Sequence, residues 1–307
     1  MSLALFLEQL FNGFQTGITL FLISAGLTII LGTMNFVNLA HGSQVMIGAY
    51  VATYFFGLTD SFFLGIIFAI PCTFIFGITL EILIIRHFYN RDHMEQVLVT
   101  FGLIIFFNEV VRILFGPASL YSTIPKILSN SVMLLPDLPY PAYRLFIIGI
   151  GIISALIIYV LIHKSKIGAM VRAGENNSII ASALGININL LFRLVFATGA
   201  TFAGLAGMMI GPLTSIEPGM GEPLLILALV VIIIGGVGSI KGAFFSAILI
   251  GIIDTLGRVF IPFLLKLFLN NSSADGAGPA LSSMLVYILM IIILIKKPNG
   301  LFGKVST

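Results

Sequence analysis

"GLTIILGTMNFVNLAHGSQVMIGAY", residues 26–50, decides how this chain is read. It bridges the apolar runs "GITLFLISAGLTIILGTM" (17–34) and "VMIGAYVATYFFG" (45–57), neither with a charged residue, yet the join carries Asn35, Asn38 and His41 beside Gly32 and Gly42. Apolar runs of this length are the signature of membrane-spanning helices. A helix interrupted in lipid leaves backbone N–H and C=O groups without partners, each costing on the order of several kcal/mol. Two arrangements avoid that cost. The join is a helix break, buried in protein or lining a wet cavity, with the polar side chains holding the loose ends; or it is a short turn at a membrane surface, with Asn38 as a helix N-cap. No second His, Cys or carboxylate stands near His41 at ligand spacing, so no metal is expected there.

The composition supports a membrane setting. The 307 residues are 59% hydrophobic and 9% charged, against about 25% charged in a soluble domain. The opening "MSLALFLEQLFNGF" has neither a basic n-region nor a small-residue cleavage site, so the first apolar segment is expected to be retained. The single cysteine, Cys72, precludes an internal disulfide and reads as a packing residue.

Spans of about 20 apolar residues are expected near 13–34, 40–58, 61–85, 97–115, 144–163, 191–213, 223–240, 242–265 and 280–296, within a range of eight to ten helices. The runs are continuous rather than alternating, which favours an all-α bundle over a barrel. Basic residues collect between alternate spans: Arg86 and Arg91; Lys164, Lys166 and Arg172; Lys241; and Lys296, Lys297 and Lys304 in the tail. Opposite them fall Glu8, Asp60, Asp137, Glu217, Glu222 and Asp275 against Lys126, Arg144 and Lys266. Because Lys and Arg concentrate on the cytoplasmic side, the C-terminus is expected in the cytoplasm. The chain reads as one domain, 1–307, with a proline-rich external loop at 116–143 and a cytoplasmic loop at 164–190.

That inner loop contains "VRAGENNSIIASALGININLLFR" (171–193). Gly174, Glu175, Asn176 and Asn177 supply turn and capping groups, Ile179, Ile180, Ala183 and Leu184 recur at helical spacing, and Gly185 suits a left-handed stop. The result is a short amphipathic helix, either an interfacial anchor or, given the small Ala181 and Ala183, a plug for a groove on another protein. No Gly-x-x-x-x-Gly-Lys-Ser/Thr loop occurs, so any ATP that drives this chain is hydrolysed elsewhere.

A second interruption lies in "LLILALVVIIIGGVGSIKGAFFSAILIG" (224–251), where Gly235, Gly236, Gly238, Ser239 and Gly242 separate two arms, the first too short to span. Within the spans, Asp254 and Arg258 stand four apart and Glu109 and Arg112 three apart. Both spacings allow pairing on one helix face, as structural braces or as groups on a solute path. Glu81 is expected to pair with Arg86. Glycines in "GATFAGLAG" (199–207) and "GIGIISA" mark close helix contacts. Neither His-Glu-x-x-His nor Gly-x-Ser-x-Gly occurs, and Ser239 with Lys241 is a weak basis for a dyad, so no enzyme is expected.

Six blocks in order, "GLTIILGTMNFVNLAHGSQVMIGAY" (26–50), "VLVTFGLIIFFNEVVRILFGP" (97–117), "RAGENNSIIASALGIN" (172–187), "GATFAGLAGMMIGP" (199–212), "PGMGEPLLILALVVIIIGGVGSIKGA" (218–243) and "KPNGLFG" (297–303), resemble the LivH-type permease of bacterial branched-chain amino acid ABC importers. The resemblance implies a type-II-like importer half in the bacterial inner membrane. Its implied partners are a second homologous permease, two ATP-binding subunits that carry the ATP and magnesium, and a periplasmic solute-binding protein; this chain itself binds no cofactor. It maps the family's ATPase-coupling helix onto residues 175–185, with Asn176, Ala181 and Gly185 at recurring positions. Asn177 and Ser178 depart from the basic or proline residue and acidic residue common there, which makes Glu175 the expected polar contact. Relatives in this class also carry urea or amides. A secondary transporter using Asp254 or Glu109 as coupling carboxylate is the reading from a different class.

Overall fold

The computed structural model describes residues 3–135 and 138–303; Asp137 and Lys304 lie outside them. The chain folds as α1 (Leu3–Met34), α2 (His41–Thr59), α3 (Phe62–Leu83), α4 (His93–Phe115), β1 (Ser131–Leu135), β2 (Leu138–Pro141), α5 (Ala142–Lys164), α6 (Lys166–Asn176), α7 (Ser178–Ala183), α8 (Ile188–Ile210), α9 (Gly221–Gly235), α10 (Ile240–Leu265) and α11 (Asn271–Lys296).

Among the described residues seven helices, α1, α3, α4, α5, α8, α10 and α11, are long and apolar enough to cross a membrane. This corrects the expectation of nine full spans. The run at 223–240 forms only the 15-residue α9, about 22 Å long at 1.5 Å per residue, shorter than the roughly 30 Å hydrocarbon core. The run at 40–58 forms α2, whose first turn carries His41, Ser43 and Gln44. The external loop carries a short two-stranded hairpin. Its strands β1 and β2 pair antiparallel, and Leu120 bridges to Ile216 ahead of α9.

Helix α1 is the hub. From Gly13 to Met34 it is almost wholly buried, although a lone amphipathic helix would hide one stripe. Glycines set its approach to its neighbours. A Cβ on Gly17 would lie 2.6 Å from the Ile248 backbone on α10, and one on Gly26 would lie 2.5 Å from the Gly199 carbonyl on α8. Gly48 and Gly204 bring α2 onto α8 in the same way. The expected packing role of the 199–207 glycines holds. In "GIGIISA" only Gly151 packs closely, against Ile18, and Gly149 faces open space.

Candidate translocation site and coupling element

At the first interruption Asn35 is exposed, Val37 and Leu39 are half-buried, and Asn38 and His41 are buried in protein. Asn35 adopts φ +49°, a left-handed conformation that asparagine tolerates, and its N–H closes the last turn of α1 on the Leu31 carbonyl at 3.0 Å. The chain then turns back along α1. His41 Nε2 lies 2.9 Å from the Ile23 carbonyl, well before the end of that helix, so α2 starts beside the middle of α1.

Partners for the freed backbone come from far away in sequence. Gln96, 2% exposed at the start of α4, accepts the Val37 N–H at 3.1 Å and donates to the carbonyls of Phe88 and Arg91. The sequence reading missed this residue, because nothing local marks a glutamine as a clamp for a segment 59 residues away. Asn38 is not the N-cap of α2; that position is Ala40, without a side-chain cap bond. Asn38, His41, Ser43 and Gln44 are each at most 3% exposed. Among the described residues Asn38 Oδ1 and Nδ2, His41 Nδ1, Ser43 Oγ and both polar atoms of Gln44 have no hydrogen-bond partner. A cluster of this kind suits polar occupants such as water or a solute. Among the described residues no group of three His, Cys, Asp or Glu gathers to hold a metal.

Gly32, ahead of the first interruption, lies against Gly238 of the second, where a Cβ on Gly32 would stand 2.8 Å from the Gly238 Cα. Gly42, at the start of α2, lies against Gly221, at the start of α9: a Cβ on Gly221 would stand 1.9 Å from the Gly42 carbonyl. At the other end of α9, Gly235 packs on Gly242, Gly236 and Gly238 take φ +97° and +78°, and Ser239 Oγ caps α10 by accepting the Gly242 N–H at 3.0 Å. The tail completes this turn. Leu301 and Phe302 donate their N–H groups to the Ile234 and Gly235 carbonyls at 2.8 and 3.0 Å, and the Phe302 ring stacks on Phe245. "KPNGLFG" thus closes the exposed end of α9.

The inner loop holds two helices where one was expected. Glu175 and Asn176 form the last turn of α6, which Ser165 caps. The short helix itself is α7, capped by Asn177, whose Oδ1 accepts the Ile180 N–H at 3.0 Å. Gly185, at φ +90°, ends it; the N–H groups of Gly185 and Ile186 bond the carbonyls of Ser182 and Ala181, a Schellman closure. Ala181 faces inward at 2% exposure, while Ile179, Ile180 and Leu184 project outward at 80%, 58% and 78%. The outward apolar surface is therefore large-residue in character, unlike the small-residue face expected.

Both intrahelical pairs form. Arg258 Nε lies 2.9 Å from Asp254 Oδ2, with Asp254 turned inward; Arg112 lies 3.0 Å from Glu109, both half-exposed. Glu81 does not pair with Arg86. Its carboxylate, 1% exposed, accepts from Arg193 of α8 at 3.2 Å and from the Tyr89 hydroxyl at 2.6 Å. Burial, then donation to Glu81, pushes the Tyr89 pKa up, so the phenol remains a donor. Arg193 was within the quoted loop sequence, but only folding shows which acid it meets.

A cavity of about 310 Å³ joins several of these parts. Thr28, Gly32 and Thr33 of α1 line one wall, Arg172 and Glu175 of α6 a second, and Gly238, Ser239 and Lys241 a third, with Phe302 of the tail at its edge.

The family model described as "Branched-chain amino acid transport system / permease component" matches residues 9–294. The chain is 27% identical to the high-affinity branched-chain amino acid transport system permease protein BraD of Pseudomonas aeruginosa, over 97% of this chain and 96% of the relative. It is 26% identical to the LivH permease protein of the corresponding Escherichia coli system, again over 97% and 96%. A probable LivH permease protein of Methanocaldococcus jannaschii is 27% identical over 92% of this chain and 88% of its own length. No solved structure matches the chain.

Proposed function

Because this chain belongs to the family of permease components of branched-chain amino acid transport systems, we propose that it is the membrane-spanning subunit of an ATP-driven importer for branched-chain or other apolar amino acids. A periplasmic binding protein delivers the solute, a second homologous permease completes the passage, and two ATP-binding subunits, holding the ATP and magnesium, dock beneath. The protein lies in the inner membrane with its C-terminus cytoplasmic, consistent with the basic residues on the side of the inner loop.

The observation that carries this reading is α7. Ile179, Ile180 and Leu184 stand exposed on a helix fixed at both ends by Asn177 and Gly185. Apolar side chains held out on a rigid element fit insertion into a groove on a partner. The adjoining α6 lines the cavity whose other walls are the last turns of α1 and the turn between α9 and α10, so displacement of α7 is passed to those elements. The buried cluster at Asn38, His41 and Gln44 then supplies polar groups along the solute path.

Single cysteines at Ile179 and Leu184 test the docking role. In membranes that contain the complete transporter they are expected to cross-link to an ATP-binding subunit. Failure of both to capture it, in a complex that imports leucine, would remove α7 from the mechanism. Calorimetry on the associated binding protein tests the substrate: retention of leucine and valine supports the assignment, and retention of urea or short amides alone replaces it.

A further inference from the structure

The surface formed by α4 and the start of α9 carries groups that lipid cannot serve. Helix α9 has 15 residues, about 22 Å at 1.5 Å per residue, and its last turn is held against the start of α10 and the tail. Its first turn therefore begins inside the membrane. The bond from Asn108 Nδ2 to Glu222 Oε1 at 2.6 Å fixes the level. Asn108 stands seven residues before Phe115, where α4 ends, which is about 10 Å below that end. Residues 214–220, which lead down to this depth, are not helical. Within them Gly219 takes φ +88°, and the exposed Glu217 accepts from Ser119 Oγ at 3.0 Å. Non-helical backbone at membrane depth is tolerated only where protein or a water-filled cavity covers it.

A second, independent observation lies on α4. Leu98, Phe101, Ile105, Glu109 and Arg112 recur at spacings of three and four on its outward face, opposite the buried Thr100, Phe107 and Val111. Glu109 and Arg112 bond each other at 3.0 Å, yet their side chains stay 52% and 53% exposed. Charged side chains within a span face protein or water rather than lipid. Arg258 of α10 differs, because its partner Asp254 is turned into the bundle. The outward faces of α3 and α5 present apolar side chains such as Ile67 and Ile153, which lipid accepts. Water alone does not suit the α4 face either, since Leu98, Phe101 and Ile105 are 67%, 54% and 54% exposed. An apolar strip with an acid and a base at one end, joined by Asn108 to an open stretch of backbone, fits a protein partner.

We propose that the face made by α4 and the start of α9 is where the second permease subunit of the importer packs. A helix of that subunit lies along Leu98, Phe101 and Ile105, and its polar groups meet Glu109 and Arg112. The bond between those two uses one of five guanidinium donors and one of two carboxylate oxygens, so both can take a further partner. The same subunit covers residues 214–220, whose backbone then faces protein and an enclosed seam instead of lipid. The interface rests on the reading of the chain as an importer subunit with a permease partner, and it gives that partner a place. It lies beside the start of α9, where Gly221 meets Gly42 of α2, and not on the outward face of α5.

The test uses the complete transporter in membranes, in a Cys72→Ser background that imports leucine. Ile105→Cys, labelled with benzophenone maleimide and irradiated, is expected to capture a permease subunit, identified by mass as a homologue or a second copy of this chain. Ile153→Cys on α5, treated alike, should capture lipid. The double variant Glu109→Gln with Arg112→Gln makes the α4 face acceptable to lipid, so the chain should still insert and fold. Recovery of the second permease with it in detergent should nevertheless fall about tenfold. The interface is overturned if Ile105→Cys captures only lipid in a complex that imports leucine, or if Ile153→Cys captures the permease to the same extent. It is overturned equally if the double variant keeps its partner at the wild-type level, since the pair then serves α4 alone. Capture of a permease from Ile105→Cys in membranes that import neither leucine nor urea nor amides would uphold the interface and strike the importer reading instead.

Discussion

Glu81 of α3 accepts the Arg193 Nε–H of α8 at 3.2 Å with its carboxylate all but sealed from solvent. The pair fastens the helix that follows the inner loop to the helix that follows α2, and Tyr89 supplies a second donor. Removing one partner of a fully buried pair costs about 3–5 kcal/mol, but Arg193 is 30% exposed and partly screened. Glu81→Gln is therefore expected to lower stability by about 2 kcal/mol in denaturant unfolding of the purified chain, with Tyr89→Phe costing about 1.5. Arg86→Gln should change little; equal effects from Arg86 and Arg193 would show that a different pair forms.

The meeting of Gly42 and Gly221 leaves no room for a methyl group. With a Cβ only 1.9 Å from the Gly42 carbonyl, Gly221→Ala must separate α2 from α9, at about 1–3 kcal/mol. It should reduce both the thermal midpoint and transport. Gly149→Ala meets nothing within 4 Å and replaces a poor helix former by a good one, so the midpoint is expected to stay or rise by the equivalent of about 0.5–1 kcal/mol.

Truncation after Lys297 removes the N–H groups of Leu301 and Phe302 from the last carbonyls of α9. At about 1 kcal/mol for each bond, the loss is about 2 kcal/mol. Amide hydrogen exchange should locate it in the 232–242 turn rather than across the bundle. Uniform exchange throughout would mean that the tail stabilises the whole fold.

The cap and stop of α7 are separable from its outward face. Gly185 has open space around it and φ +90°, so Gly185→Ala incurs backbone strain alone, about 1–2 kcal/mol. Asn177→Ala loses the cap, about 1 kcal/mol. Leu184→Ser, at 78% exposure, should leave unfolding unchanged while reducing ATP-coupled uptake several-fold. Unchanged uptake would place the partner contact elsewhere.

Local physics was readable in one dimension. Apolar runs gave the helices, their polar gaps gave the interruptions, asparagine and glycine around α7 gave its two ends, and spacings of three and four gave the pairs Glu109 with Arg112 and Asp254 with Arg258. Each depends on residues within about one turn, where helix geometry fixes which side chains can meet. Folding in three dimensions decided the rest: that Gln96 receives Val37, that Glu81 finds Arg193 instead of Arg86, that Gly42 rests on Gly221, and that α6, α10 and the tail enclose one cavity with Thr28. These contacts join residues tens to hundreds of positions apart. Their partners are chosen by how closely glycine-lined helices pack, and no periodicity along the chain encodes that choice.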